Sequence, residues 1–563
     1  MSGSKPEEGL RLGSDALPIQ RKPAQDILQG SSLTLMLAAG LALLGLVGAA
    51  VILYATAHGA GIGGDATIYL SAARNLLAGK GLGLVEPQGG FRVLPYSAPL
   101  YPLLLAGLGG LGIDLAEAAR WIDALLYGAT IFLVGAAVMR FTRDRILAFF
   151  SAALILLSPV LVVRVFAWAM SEPVFLFAGF LGLFLAIDYV GQARRGMLIG
   201  AALACGISFL ARYIGVGFVA AAALVLLLLD RRAWREKIMT TAGFLAVSLL
   251  PMAVWVVYDF TQTHTVASRS IQTGVGLGAR ALSALAPLKQ AVLFWLVPDT
   301  WVATPPYPHI FNSLLLAGVM LAAAALLVAV SRRRRVTRPA DLDGSARLAL
   351  GLGTLVGVYL AVTLVVYIST YPPITLDNRM ISPIYVAALL LVVVLAGMLL
   401  RVEAARRWLR VGIWVVLLGF AATYLYRTPR IVQETHRSGL GYLADGSRHS
   451  ATLKALQALP PGTQVITNEV TLVLYYTGQP AYALISGALV DPHSGFTAYG
   501  SDPTDPGQAA FRSGGALVLF SSINDTLTGI YGAQAPARLA ALTQGLYQAY
   551  SGPDGAIYYY RAP

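Results

Sequence analysis

Four ionisable residues fall where the sequence puts the outer edge of a bilayer, a place where charge is costly and is usually kept for a purpose. Asp65 follows Gly63 and Gly64 after the first long apolar run, and Glu172 sits in the turn Ala167-Trp-Ala-Met-Ser-Glu-Pro173 between two others. Arg212 separates two short apolar runs, and Arg379 lies in Asp377-Asn-Arg-Met-Ile-Ser-Pro383 just before another. A carboxylate can take the proton from an attacking hydroxyl. A guanidinium stays charged and grips phosphate oxygens through two hydrogen bonds, which suits it to an anionic lipid headgroup. Plainer roles are open to each. Asp65 can cap a helix, Glu172 before Pro173 can be a first-turn acid facing the helix dipole, and either arginine can snorkel from the interface to water.

The elements that hold these residues are set by composition. In 563 residues, 57% are hydrophobic and only 12% charged, so the bilayer is the better solvent. Apolar runs of the roughly 20 residues needed to span a hydrocarbon core recur from 33 to 424 and then stop. Residues 1–30 are mixed and polar with no small-residue cleavage site, so the first span is expected to stay attached. The formal charge of +13 is not a nucleic-acid footprint, because it sits in short loops between spans. The clusters are Arg140, Arg143 and Arg145; Arg194 and Arg195; Arg231, Arg232, Arg235 and Lys237; Arg332 to Arg335 with Arg338; and Arg401, Arg406, Arg407 and Arg410. Basic short loops mark the cytoplasmic side.

All five clusters fit on that side if the spans are 33–55, 117–139, 146–168, 173–190, 197–211, 213–229, 239–257, 312–330, 348–369, 382–400 and 410–426. That makes about eleven crossings, with the amino terminus cytoplasmic and the carboxy-terminal domain outside a plasma (inner) membrane. The stretches 99–113 and 281–297 break the alternation and read as interfacial helices. A single cysteine, Cys205, precludes an intramolecular disulfide or a cysteine metal site.

The chain therefore divides into a cytoplasmic tail (1–32), a transmembrane domain (33–426) and an extracytoplasmic α/β domain (427–563). The first outer loop, about 56–116, carries a helix over 65–78 that Asp65 can cap and Gly79 can end, with Tyr69 on its apolar face. Beyond 428 short alternating elements follow: a helix near 449–458, strands over 464–467 and 515–520, and a strand-turn-strand over 547–561.

Gly64-Asp-Ala-Thr-Ile-Tyr69 with Ala73-Arg-Asn-Leu-Leu-Ala-Gly79, Tyr96-Ser-Ala-Pro-Leu-Tyr-Pro102 before Ala118-Ala-Arg120, Ser171-Glu-Pro173, Ala211-Arg-Tyr-Ile-Gly215 and Asp377-Asn-Arg379 with Pro383 resemble the GT-C superfamily of membrane glycosyltransferases. That group includes protein O-mannosyltransferases and the lipid A aminoarabinose transferase, and the resemblance covers nearly the whole chain. It implies a base at Asp65, a second acid at Glu172, a donor phosphate lined by Arg212 and Arg379, and a soluble α/β domain after the last span. Substrate-contact candidates are Tyr69, Arg74, Glu86, Tyr96, Tyr101, Tyr213 and Asp377, the tyrosines being equally at home as interface aromatics. Many members place two adjacent acids in the first loop. Here Gly64 precedes Asp65, and Glu86 is the nearest candidate for the missing carboxylate. A lone Asp and Glu make a poor cage for a divalent ion, which argues against a metal without excluding one.

The expected activity is an inverting transfer of a sugar from a polyprenyl-phosphate donor to a hydroxyl of a glycan, lipid or protein acceptor, with no cofactor and no nucleic-acid partner. Two alternatives stay open: a polysaccharide ligase or polymerase using a lipid diphosphate donor, and a transporter or flippase of a lipid-linked substrate. Against transport, no two-fold repeat is evident and the candidate residues collect at one membrane face.

Overall fold

The computed structural model describes residues 24–94, 97–263, 270–271, 276–297, 342–371, 373–401, 407–484, 499–500, 502 and 504–561. The first helices are α1 (Ala24–Ala55), α2 (Gly64–Leu77), α3 (Leu100–Gly109), α4 (Leu115–Thr142) and α5 (Arg145–Leu156). Next come α6 (Glu172–Gln192), α7 (Arg195–Ala211), α8 (Val216–Leu229), α9 (Trp234–Thr263), α10 (Leu277–Ser283) and α11 (Leu285–Leu296). After the undescribed stretch follow α12 (Gly344–Ser369), α13 (Ser382–Leu400) and α14 (Arg407–Ser438). Seven described helices are long and apolar enough to cross a membrane, and α3, α5, α7 and the segment Tyr213–Leu229 are shorter apolar helices. The chain is a multi-pass membrane protein. The expected span 312–330 and the cluster Arg332 to Arg335 with Arg338 lie outside the described residues, as do Arg406 and Tyr96.

The helices α6 and α13 are buried over 72% of their apolar windows and form the centre, whereas α1 and α14, at 22%, turn most of their apolar surface outward. Small residues let the backbones approach. A Cβ on Gly128 would stand 2.5 Å from the carbonyl oxygen of Gly45, and one on Gly45 would stand 2.7 Å from that of Gly128, so α1 and α4 meet through glycine. Three basic loops gather at one end of the bundle. Arg140 pairs with Asp188 at 3.0 Å, Arg401 pairs with Asp144 at 3.4 Å, and Arg232 lies over the Tyr189 ring at 5.1 Å.

Three expectations change. The stretch 146–168 is not one helix: α5 stops at Leu156 and a π-helical turn occupies Leu161–Phe166. Pro159 has no amide hydrogen to donate, and Ser158 instead bonds the Leu161 amide and the Tyr385 hydroxyl. Asp65 does not cap α2; Gly63 holds the cap position in extended conformation, and Asp65 stands in the first turn. The last long helix does not end near 426 but continues through Pro429 to Ser438, because the apolar run reports the solvent around a helix rather than its length. Thr428 and Arg427 anchor that passage by bonding the Leu157 and Phe294 carbonyls.

The pair α7 and α8 forms a reversal rather than a single crossing. Arg212 is extended (φ −152°, ψ 136°), and a 3-10 turn over Tyr213–Gly215 follows it. A Cβ on Gly215 would stand 2.5 Å from the Ser208 oxygen and 2.6 Å from Phe209 Cα, so the turn needs glycine.

Short hairpin strands β1 (Gly83–Val85) and β2 (Phe91–Val93) follow α2, and β3 (Ser270–Ile271) pairs β4 (Thr370–Tyr371). The carboxy-terminal part holds α15 (Asp445–Arg448), α16 (Ala451–Gln457), β5 (Val465–Thr467), α17 (Val470–Thr477), β6 (Tyr482–Ala483), α18 (Pro506–Arg512) and β7 (Ala516–Phe520). It ends with α19 (Ser522–Tyr531), α20 (Ala535–Thr543), β8 (Tyr547–Gly552) and β9 (Gly555–Tyr559). The five strands form one sheet in the order β6-β5-β7-β9-β8, parallel through β6, β5 and β7 and antiparallel beyond.

Gly128→Val should lower the melting temperature in detergent by the equivalent of about 1–3 kcal/mol, read by fluorescence-detected unfolding. The same change at Gly243, where an added Cβ meets nothing within 4 Å, should be close to neutral.

Candidate active site

Three segments that are distant in sequence meet through backbone hydrogen bonds. The Gly61 amide donates to Ala167 at 2.8 Å and the Ala169 amide to Gly61 at 3.0 Å, while the Tyr442 amide donates to Ile62 at 2.8 Å. Residues 61 and 62 thus bridge the Glu172 turn on one side and the carboxy-terminal part on the other. A Cβ on Gly61 would press on Leu440 and the Trp168 ring at 2.9 Å, which explains a glycine there. From this clamp α2 starts, carrying Asp65 in its first turn.

Asp65, Glu172, Arg212 and Arg379 converge. Arg212 Nη1 lies 2.6 Å from Glu172 Oε1, and Arg379 Nη1 lies 3.7 Å from the same oxygen and 3.6 Å from Asp65 Oδ2. Asp377 is 3.4 Å from Arg379 Nε and accepts the Met380 amide at 2.9 Å, closing the turn that presents Arg379. Exposure separates the carboxylates: the Glu172 side chain is 1% exposed and that of Asp65 49%. Glu172 is a buried ion-pair partner, whereas Asp65 reaches solvent. Burial works against the charge of Arg212 and Arg379, but the adjoining Glu172 carboxylate outweighs it and holds both guanidiniums more firmly protonated than usual.

The other candidates divide. Tyr69 is buried, shares a 3.3 Å hydrogen bond with Ser171 and stacks edge-on against Tyr101; burial pushes its phenol above the ordinary range. Tyr101 is fully buried and forms the wall behind Tyr69 rather than a reachable contact. Tyr213 accepts the Trp255 indole N–H at 3.1 Å. Glu86 pairs with Arg92 at 3.5 Å across the β1–β2 hairpin. Arg74, with Ser71 and Asn75, lines a small recess between α2 and residues Leu474, Gly478 and Pro480.

Sequence reasoning missed Asp123, which is fully buried on α4 and close enough to Glu172 and Tyr101 to act on both. Its signal was present: an aspartate inside an apolar helix. It also missed Ser171, which the Arg212 guanidinium approaches at 3.5 Å, and Tyr359, whose hydroxyl donates to the Met380 carbonyl at 3.0 Å. Among the described residues no group of three or more His, Cys, Asp or Glu is arranged to hold a metal ion.

No protein-family model matches the sequence, and no curated protein is similar to it. Solved structures are. ArnT from Cupriavidus metallidurans bound to undecaprenyl phosphate superposes with a TM-score of 0.52 at 16% identity, over 94% of this chain and 98% of that one. The same protein in the apo state gives 0.51 at 16% identity, over 95% and 99%. The chain shares the overall fold of ArnT. The archaeal oligosaccharyltransferase AglB from Archaeoglobus fulgidus, in complex with an inhibitory peptide and a dolichol-phosphate, gives 0.49 at 11% identity, over 92% of this chain and 74% of that one.

The buried pair makes a thermodynamic demand. Removing one partner of a buried ion pair costs about 3–5 kcal/mol, because the other charge is stranded. Arg212→Met should therefore lower the melting temperature more than Arg379→Met, and adding Glu172→Gln to Arg212→Met should restore part of the loss. Melting curves of the parent protein and these three variants check this order.

Proposed function

We propose that the chain is an inverting glycosyltransferase that moves a sugar from a polyprenyl-phosphate donor to an acceptor hydroxyl at the outer face of the plasma membrane, with its amino terminus in the cytoplasm. One observation carries this reading: a half-exposed carboxylate, Asp65, stands beside a guanidinium, Arg379, whose contacts to carboxylates are 3.4 to 3.7 Å long. A second guanidinium, Arg212, is tied down on Glu172 behind it. The likeness to ArnT bound to undecaprenyl phosphate supports a lipid-phosphate donor.

In this mechanism Asp65 takes the proton as the acceptor oxygen bonds to the anomeric carbon, and the bond from that carbon to the phosphate oxygen breaks. The electron pair leaves with the polyprenyl phosphate. Arg379 shifts from the loosely held carboxylates to the phosphate oxygens, where two parallel hydrogen bonds stabilise the developing charge. Arg212 reinforces the field but is held by Glu172, so Glu172 acts by fixing the arginines rather than as a second acid that reaches substrate.

Asp65→Asn should reduce release of polyprenyl phosphate from radiolabelled polyprenyl-monophosphate sugars by about 10²–10⁴-fold, the range for losing a general base. The melting temperature should stay near that of the parent protein. Undiminished turnover in the variant would remove Asp65 from the chemistry; no turnover by the parent protein with any monophosphate donor would favour a diphosphate donor or transport.

A further inference from the structure

The carboxy-terminal sheet has a feature that the reaction at Asp65 does not use. After β5 the chain passes through α17 to β6 on one side, and it later returns to β7 on the other, so the strand order reverses at β5. In open α/β sheets the crevice beyond the carboxyl ends of the strands at such a reversal is where ligands bind. Here those ends carry Asn468 and Glu469 after β5 and Ser522 after β7.

These side chains are mutually oriented. Asn468 accepts the Phe520 amide at 2.9 Å and donates to Ser522 Oγ at 2.9 Å, and Ser522 donates to Glu469 Oε1 at 2.5 Å. Asn468 and Glu469 are both half-buried. The crevice also adjoins the active site. Thr471, at the start of α17, shares a 2.7 Å hydrogen bond with the Tyr442 hydroxyl, and its Oγ1 lies 3.6 Å from where a Cβ on Gly64 would stand. Tyr442 is close enough to both Asp65 and Glu469 to feel their charges.

We infer that this crevice is the acceptor subsite of the proposed transferase and that its ligand is a neutral glycan, whose reacting hydroxyl is delivered along Tyr442 to Asp65. The inference rests on the transferase reading and adds the class of acceptor. A carboxylate, an amide and a hydroxyl side by side supply the acceptors and donors that adjacent sugar hydroxyls require. The half-buried Tyr442 ring offers an apolar face for the C–H surface of a sugar, and its hydroxyl a polar edge. Glu469 disfavours a phosphorylated or otherwise anionic acceptor at this point.

The test uses the full-length protein in detergent, a radiolabelled polyprenyl-monophosphate sugar, and three acceptor probes from the cells that make the protein. The probes are delipidated, protease-digested envelope glycan, a chloroform–methanol lipid extract, and delipidated envelope protein. The readout is the ratio of sugar transferred to the probe to sugar released into water. The parent protein should label the glycan fraction, and Glu469→Gln should lower that ratio about tenfold, with Ser522→Ala acting in the same direction. The amide variant still accepts the Ser522 hydroxyl, so the fold should persist, and a melting curve checks it. An unchanged ratio in both variants, or label confined to the lipid or protein probe, would overturn the glycan subsite while leaving the transferase standing. No consumption of donor by the parent protein would overturn the transferase and this subsite together.

Discussion

The end of the helical bundle that carries Asp65 is organised by one buried carboxylate. Glu172 is 1% exposed on its side chain and lies at the first turn of α6, a central helix of the bundle. A charge in that position persists only if opposite charge comes to it. Arg212 comes from the reversal between α7 and α8, and Arg379 from the turn before α13. The requirement that Glu172 be neutralised therefore draws together helices that no local propensity would bring into register. Asp65 is only loosely held, because Arg379 is shared among three carboxylates and satisfies none of them closely.

How much of this could be read from the sequence depends on what each signal measures. Apolar runs located most of the helices, since hydropathy reports the solvent a segment needs. They misjudged 146–168, where Ser158-Pro159 interrupts the backbone inside a run that stays apolar on average, and the end of α14, where a helix outlives its apolar surface. Asp65, Glu172, Arg212 and Arg379 were legible because charge beside a bilayer is conspicuous. Their pairing was not, because nothing in the separate turns at 172, 212 and 379 states a distance. Asp123 left little trace, because a single aspartate within α4 does not interrupt the apolar pattern that marks a span.

The backbone clamp at Gly61 and Ile62 gives the arrangement its stiffness. It ties the turn leading to Glu172 and the residues leading into the carboxy-terminal sheet to the same two residues just ahead of α2. The long loop after α1 is thus fixed at its beginning rather than left to find its place, and Asp65 inherits a position from hydrogen bonds that involve no side chain. Glycines at 61 and 441 are needed here, the latter with φ of +59°.

The unbroken run of α14 to Ser438 carries a geometric consequence. A loop would absorb an inserted residue; a helix converts it into motion. Each residue added between 427 and 438 would move the turn after Ser438, whose Tyr442 amide bonds Ile62, by about 1.5 Å and rotate it by about 100° around the helix axis. The junction is therefore a phased coupling, in which length and angle cannot be varied separately, and a chain related to this one could lengthen it without turning that clamp away from Ile62 only by steps close to a whole helical turn.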